Sequence, residues 1–176
     1  MTRSILAILL DCGDTLIDEG TEIKDERGAT ITADLIPGAA EALYALRASG
    51  YRLAMVADGP AQTFLRELDQ HKLGHVFECL SISEQVGCEK PDRRMFEHAL
   101  NQLGIASADY GRVVMVGNNL SRDIKGANAL GLISIWIDWA PRRAKIPADA
   151  SEAPRYMIKN PAELPALIAA LENTAL

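Results

Sequence analysis

The sequence holds no hydrophobic run long enough to cross a membrane; nothing approaches the roughly 18 consecutive apolar residues of a helical span. The apolar run after Arg3, residues 5–10, is short and ends in Asp11 rather than at a small-residue cleavage site, which argues against a secretory leader. No stripe rich in lysine or arginine stands out. With 18 basic against 24 acidic residues and a formal charge of −6, a nucleic-acid backbone is excluded as the expected partner, whereas a small anion needs only a local positive site. Cysteine is scarce. Cys12, Cys79 and Cys88 are odd in number and widely spaced, so they form neither a disulfide framework nor a zinc pattern, and a reducing cytoplasm is the simple reading. Repeats, low-complexity tracts and interdomain linkers are also missing, so residues 1–176 read as one domain.

What is there begins with residues 5–16, ILAILLDCGDTL. An unbroken apolar run of this length reads as a strand buried on both faces, as in a parallel sheet. It stops at Asp11, followed by Cys12, Gly13, Asp14 and Thr15. A carboxylate at the carboxyl tip of a buried strand, beside a glycine that frees the backbone, is where open α/β sheets place their chemistry. The competing reading makes Asp11 and Asp14 simple turn formers.

Residues 17–36 are polar, and EIKDERGATIT within them reads as a small hairpin with Gly28 in its turn. Pro37-Gly38 opens a helix that Ser49-Gly50 closes. Further strands are expected at 51–57, 77–83, 112–116 and 132–137, with an edge strand at 155–158. Helices are expected from Pro60 to about Lys72, from Pro91 to Leu103, from Ser121 as N-cap to Leu130, and over 161–171. Residues 140–154 read as a surface loop. Alternating strands and helices imply a doubly wound parallel sheet, Rossmann-like and three-layered. Its strand tips would gather Asp11, Asp58, Asn118 and Asn119, with Asp123 one helical turn further on.

This pattern resembles the haloacid dehalogenase (HAD) superfamily. LLDCGDTL partly matches its first signature, D-x-D-x-T-L after an apolar run, and MVADGP aligns with the second. Lys90 in EQVGCEKPDRRMF matches the third, and VMVGNNLSRDIKGA partly matches the fourth, G-D-x-x-x-D. About twenty residues, 17–36, separate the first strand from Pro37-Gly38, which leaves room for a hairpin flap but not a cap domain. The resemblance implies a capless member acting on a phosphorylated small molecule or on an exposed phosphoryl group of a larger substrate. A neighbouring subunit covering the site, and hence a homo-oligomer, is one arrangement such members use.

By that resemblance Asp11 is the nucleophile that becomes an aspartyl-phosphate, and Lys90 is the countercharge for it and for the phosphoryl group. Mg²⁺ would be the cofactor, held by Asp11, the carbonyl of Gly13, Asn118 and Asp123, and Thr15 would support the loop through a hydroxyl-to-backbone bond. The departures are chemical. Gly13 stands where family phosphatases carry the aspartate that protonates the leaving group, help worth about 10²–10⁴-fold. Ala57 replaces a hydroxyl, and Asn118 replaces a charged metal ligand, so weaker Mg²⁺ binding is expected. Asp14 rotating inward, a substrate with a good leaving group, or slow turnover are the ways around Gly13. The alternatives to a Mg²⁺-dependent phosphatase are a HAD-fold binding or interaction protein with an impaired site, and metal-free chemistry at carbon. His71, His75, His98, Trp136 and Trp139 read as packing or surface residues, Arg142-Arg143 as a solvated pair, and Cys12 as a thiol without a base partner.

Overall fold

The computed structural model describes residues 3–174, so the first and last two residues of the 1–176 domain lie outside it. Six parallel strands form the central sheet in the order β5-β4-β1-β6-β7-β8: β1 Ala7–Leu10, β4 Arg52–Ala57, β5 Cys79–Ile82, β6 Val113–Gly117, β7 Ile133–Ile137 and β8 Tyr156–Ile158. A separate antiparallel hairpin, β2 Ile17–Lys24 with β3 Thr30–Leu35, is the flap. The helices are α1 Ala39–Ala48, α2 Ala61–Gln70, the single turn α3 Ser83–Val86, α4 Arg93–Gln102, α5 Lys125–Leu130 and α6 Leu164–Thr174. The fold is the expected three-layer α/β architecture with no cap domain among the described residues. Among the described residues no helix is long and apolar enough to cross a membrane.

β1 is central because every residue in it is apolar. Ala7, Ile8, Leu9 and Leu10 are fully buried, and side chains alternate between the two faces. Ile8 and Leu10 join the larger core with Leu43 of α1, Phe64 of α2 and Ile168 of α6. Ala7 and Leu9 join the other core with Met95 and Phe96 of α4 and Ala127 of α5. Leu10 pairs with Met55 on one side and Val116 on the other, and the Asp11 N–H extends the ladder by donating to the Val116 carbonyl at 2.9 Å. This shared register brings the residues just past β1, β4 and β6 to one sheet edge.

Element ends differ from the sequence reading in instructive ways. The hairpin is longer than its apolar pattern suggests, since both strands continue back to the sheet. Its β3 strand is fastened to α2: Thr30 N–H donates to Thr63 Oγ1 at 3.0 Å, and Gln70 and His71 hold the backbone of Ala33. Pro91 lies outside the helix it was expected to open. Its bond to Lys90 is cis, and Asp92 caps α4 by accepting from the Arg94 N–H. Ser121 is not the cap of the last site helix either. Asn119 is, through its Oδ1, and residues Leu120–Ile124 form a π-helical turn before α5.

Candidate active site

Lys90 is the centre of the strand-tip cleft. Its side chain is buried, and its ammonium donates to Asp11 Oδ1 at 2.7 Å and to the Val56 carbonyl at 2.8 Å and forms an ion pair with Asp123 Oδ1 at 2.7 Å. Burial works against the charge, but the carboxylates of Asp11, Asp123 and Asp58 outweigh it and hold the lysine above its ordinary range. The structure therefore brings together three residues that lie far apart in the chain.

Each is positioned by its neighbours. Asp11 ends β1, and its Oδ2 accepts from Thr15 Oγ1 at 3.3 Å. The Thr15 hydroxyl thus goes to the side chain of Asp11 and not, as expected, to the backbone. The tight turn explains this, because the N–H groups of Thr15, Leu16 and Ile17 all converge on the Cys12 carbonyl and fold residue 15 back over residue 11. Asp123 is fully buried. Its Oδ2 accepts from the Asn119 N–H at 2.9 Å, while its Oδ1 makes no aligned hydrogen bond and relies on the Lys90 charge. Burial, then repulsion from Asp11, pushes its carboxyl well above the usual carboxylate range. Gly117 makes this placement possible: a Cβ there would sit 2.3 Å from Asp123 Cγ.

Asn118 is held by its main chain, whose carbonyl accepts the Trp136 indole N–H at 2.9 Å. Its buried Nδ2 has no partner. Asp58 bridges two elements, accepting the Lys90 N–H at 3.0 Å and the Arg122 guanidinium at 3.0 Å. Asn119 caps the following turn, its Oδ1 accepting from the Ser121 N–H at 3.1 Å. The residues expected to hold a hard cation, Asp11, Gly13, Asn118 and Asp123, all line one cavity and could offer it carboxylate, carbonyl and amide oxygens. Among the described residues no group of three or more His, Cys, Asp or Glu side chains is placed to hold a metal ion. Such a set fits Mg²⁺ only as a weakly held, largely hydrated ion, for which Asn118 would offer its amide oxygen, its unpartnered Nδ2 being a donor.

A cavity of about 360 Å³ opens over this centre and extends under the flap to Glu19, Glu22, Thr30 and Glu67. Asp14 does not line it. That side chain is fully buried and gripped by Arg142, which donates to both of its oxygens, and its Oδ1 also accepts the Glu19 N–H at 3.2 Å. Rotation of Asp14 into the site is therefore ruled out. Arg142 and Arg143 are exposed, as expected of a solvated pair, but they are also engaged: Arg142 reaches Asp18 as well, and Arg143 reaches Glu19 Oε2 at 3.2 Å, so together they fasten the root of the flap to the loop after β7.

Three acidic groups escaped the sequence reading: Glu19, Glu67 and the bridging role of Asp58. Burial, then the nearby Asp14 charge, raises the Glu19 carboxyl against the pull of Arg143. Burial likewise pushes Glu67 up to about 7. Glu67 is the partner that Cys12 seemed to lack, accepting from its Sγ at 3.4 Å. The thiol is nevertheless inert, since burial and the Glu67 and Asp11 charges raise it well above its normal range. The histidines pack as expected, with His75 stacked on Tyr44 and His98 against Ser81.

Comparison with known proteins converges on one group. Residues 8–131 match the family of haloacid dehalogenase-like hydrolases. The glyceraldehyde 3-phosphate phosphatase of Methanopyrus kandleri is 32% identical over 131 residues, 74% of this chain and 53% of that protein. The phosphoserine phosphatase of Thermus thermophilus is 33% identical over 120 residues, 68% and 45% of the respective chains. The chain thus spans about half the length of the curated relatives it matches. Among solved structures, a HAD phosphatase from Thermococcus onnurineus superposes with a TM-score of 0.66 at 28% identity, over 77% of this chain and 59% of that one. A protein from Listeria monocytogenes shares the fold at a TM-score of 0.74 and 23% identity, over 96% and 99% of the two chains.

Proposed function

Because the chain belongs to the haloacid dehalogenase-like hydrolase family, we propose that it is a phosphatase in which Asp11 takes the phosphoryl group from the substrate. The single observation that carries this reading is the ammonium of Lys90 set 2.7 Å from the carboxylates of both Asp11 and Asp123 at the end of the central strand. A carboxylate and a phosphoryl dianion repel each other, so the nucleophile needs cations around it. Lys90 supplies one inside the protein, held by partners that also orient the oxygen of Asp11 opposite Thr15. Mg²⁺ would be held by Asp11, the Gly13 carbonyl and Asn118, with Asp123 behind them or reached through water. Bound there, it adds countercharge between nucleophile and phosphoryl group and polarises the phosphorus–oxygen bonds.

The substrate is a phosphorylated small molecule, or a phosphoryl group exposed on something larger. The curated relatives are named for glyceraldehyde 3-phosphate and phosphoserine, and only the class of reaction is carried over from them. The flap narrows the cleft from one side, and among the described residues no cap closes it. A second reading, a phosphoryl-binding protein without turnover, is favoured by the lack of a multi-carboxylate metal cluster among the described residues.

Hydrolysis of para-nitrophenyl phosphate and acetyl phosphate by the wild type and Asp11→Asn, with and without added Mg²⁺, separates the two. Metal-dependent turnover that disappears in the variant supports the phosphatase. Equal traces in both proteins leave the binding protein.

A further inference from the structure

We propose that Glu19, reaching in from the flap, is the acid–base carboxyl of this site and takes the place of the side chain that residue 13 lacks; the inference rests on the phosphatase reading. Displacement at phosphorus expels an alkoxide from an ordinary phosphate ester. That oxygen needs a proton as the bond breaks, and the residues beside Asp11 offer none: position 13 is glycine, and Asp14 is buried in the grip of Arg142.

The space beside Gly13 is not empty. A Cβ built on Gly13 falls 2.1 Å from Glu19 Oε1, 2.9 Å from its Cδ and 3.0 Å from its Cγ. The carboxyl of Glu19 therefore fills the volume that a side chain at residue 13 would enter, and the two are mutually exclusive. Two contacts fix it there. The Glu19 N–H donates to Asp14 Oδ1 at 3.2 Å, setting the backbone, and Arg143 donates to Glu19 Oε2 at 3.2 Å. The inner oxygen, Oε1, is left at Gly13, and both residues line the same cavity as Asp11 and Lys90. The other flap-side carboxyls are engaged elsewhere: Glu67 by the Cys12 thiol, which packs with Ile8 and Leu10 in the core, and Glu22 by the Thr30 hydroxyl and the Lys24 ammonium.

The step balances as follows. An Asp11 oxygen bonds to phosphorus while the bond from phosphorus to the substrate oxygen breaks. The departing oxygen keeps the electron pair, takes the proton of the Glu19 carboxyl and leaves as an alcohol. The Glu19 carboxylate then accepts a proton from a water whose oxygen bonds to phosphorus. The Asp11–phosphorus bond breaks, Asp11 is restored as a carboxylate, inorganic phosphate departs, and Glu19 again carries its proton.

The test compares kcat/KM for glycerol phosphate, a poor leaving group, with that for acetyl phosphate, which departs without acid help. Because kcat/KM reports steps up to departure of the leaving group, Glu19→Gln should lower it for glycerol phosphate by about 10²–10⁴-fold, a far larger loss than on acetyl phosphate. Gly13→Asp alone should be harmed by collision with Glu19, whereas Gly13→Asp with Glu19→Ala should regain alkyl-phosphate turnover over Glu19→Ala. Equal losses of Glu19→Gln on both substrates, no loss at all, no gain in the double variant, or a wild type that turns over acetyl phosphate only, each overturn the role of Glu19. A wild type no better than Asp11→Asn on either substrate overturns the phosphatase reading and this one with it.

Discussion

Lys90 illustrates how one side chain can decide both stability and chemistry. Among the described residues its ammonium is the cation paired with Asp123, at 2.7 Å, and the second oxygen of that carboxylate is satisfied by a main-chain N–H. Replacing one partner of a buried ion pair strands the other, at a typical cost of about 3–5 kcal/mol. Lys90→Met should therefore lower the urea midpoint at pH 8, and the loss should shrink toward pH 5 as the stranded Asp123 carboxyl, already raised by burial, takes up its proton. A second replacement, Asp123→Asn, should restore part of it. Glu67 makes the converse case. Its carboxyl titrates near 7 in the folded protein, well above an ordinary glutamate, so its neutral form is favoured by folding. That contribution is fully present below about pH 4.5 and is lost as pH rises through 7. Glu67→Gln keeps an acceptor for Cys12 and removes the ionisation. It should raise the melting temperature over wild type at pH 8 and leave the two proteins alike at pH 5.

At the scale of elements, the site is set by the register of three strands and the turns that leave them. The apolar runs made the strands legible, and their abrupt ends located Asp11, Asp58 and Asn118. Lys90 and Asp123 were legible only through motif spacing, since nothing local shows that a lysine before Pro91 turns inward. The π-helical turn after β6 left no trace in the residue pattern, because its cap, Asn119, and the serine two residues on are both good cap formers. Glu19 was invisible for a different reason. It lies in a polar hairpin strand, where alternation does not tell which acid leans over a glycine. The same packing makes a prediction for Gly117, whose missing Cβ leaves room for Asp123. Gly117→Ala should destabilise the protein by about 1–3 kcal/mol, the usual cost of overpacking, and should impair turnover by displacing Asp123 from Lys90. Chemical denaturation and the acetyl phosphate assay measure the two effects separately.

Across the whole molecule, the flap is held from two directions, by α2 along β3 and by Arg142 and Arg143 at its root. The Arg142–Asp14 contact joins residues 128 apart in sequence, a distance over which the chain itself gives no hint of pairing. The loop carrying the two arginines is therefore a working part of the cleft, although its prolines and mixed charges read as a plain surface loop. Arg142→Ala leaves Asp14 fully buried without its cation. Amide hydrogen exchange over residues 14–35 should speed up more than exchange in β1 or β6, because the flap loses its root while the central sheet keeps both neighbours.

The central claim, that Asp11 itself carries the phosphoryl group, is tested most directly by acid-quenching the protein during Mg²⁺-dependent turnover of acetyl phosphate and mapping its peptides by mass spectrometry. The account predicts a phosphoryl group on the Asp11 peptide, absent from Asp11→Asn and from protein quenched after substrate is exhausted. Sustained turnover with that peptide never modified, or with Asp11→Asn equally active, would contradict it.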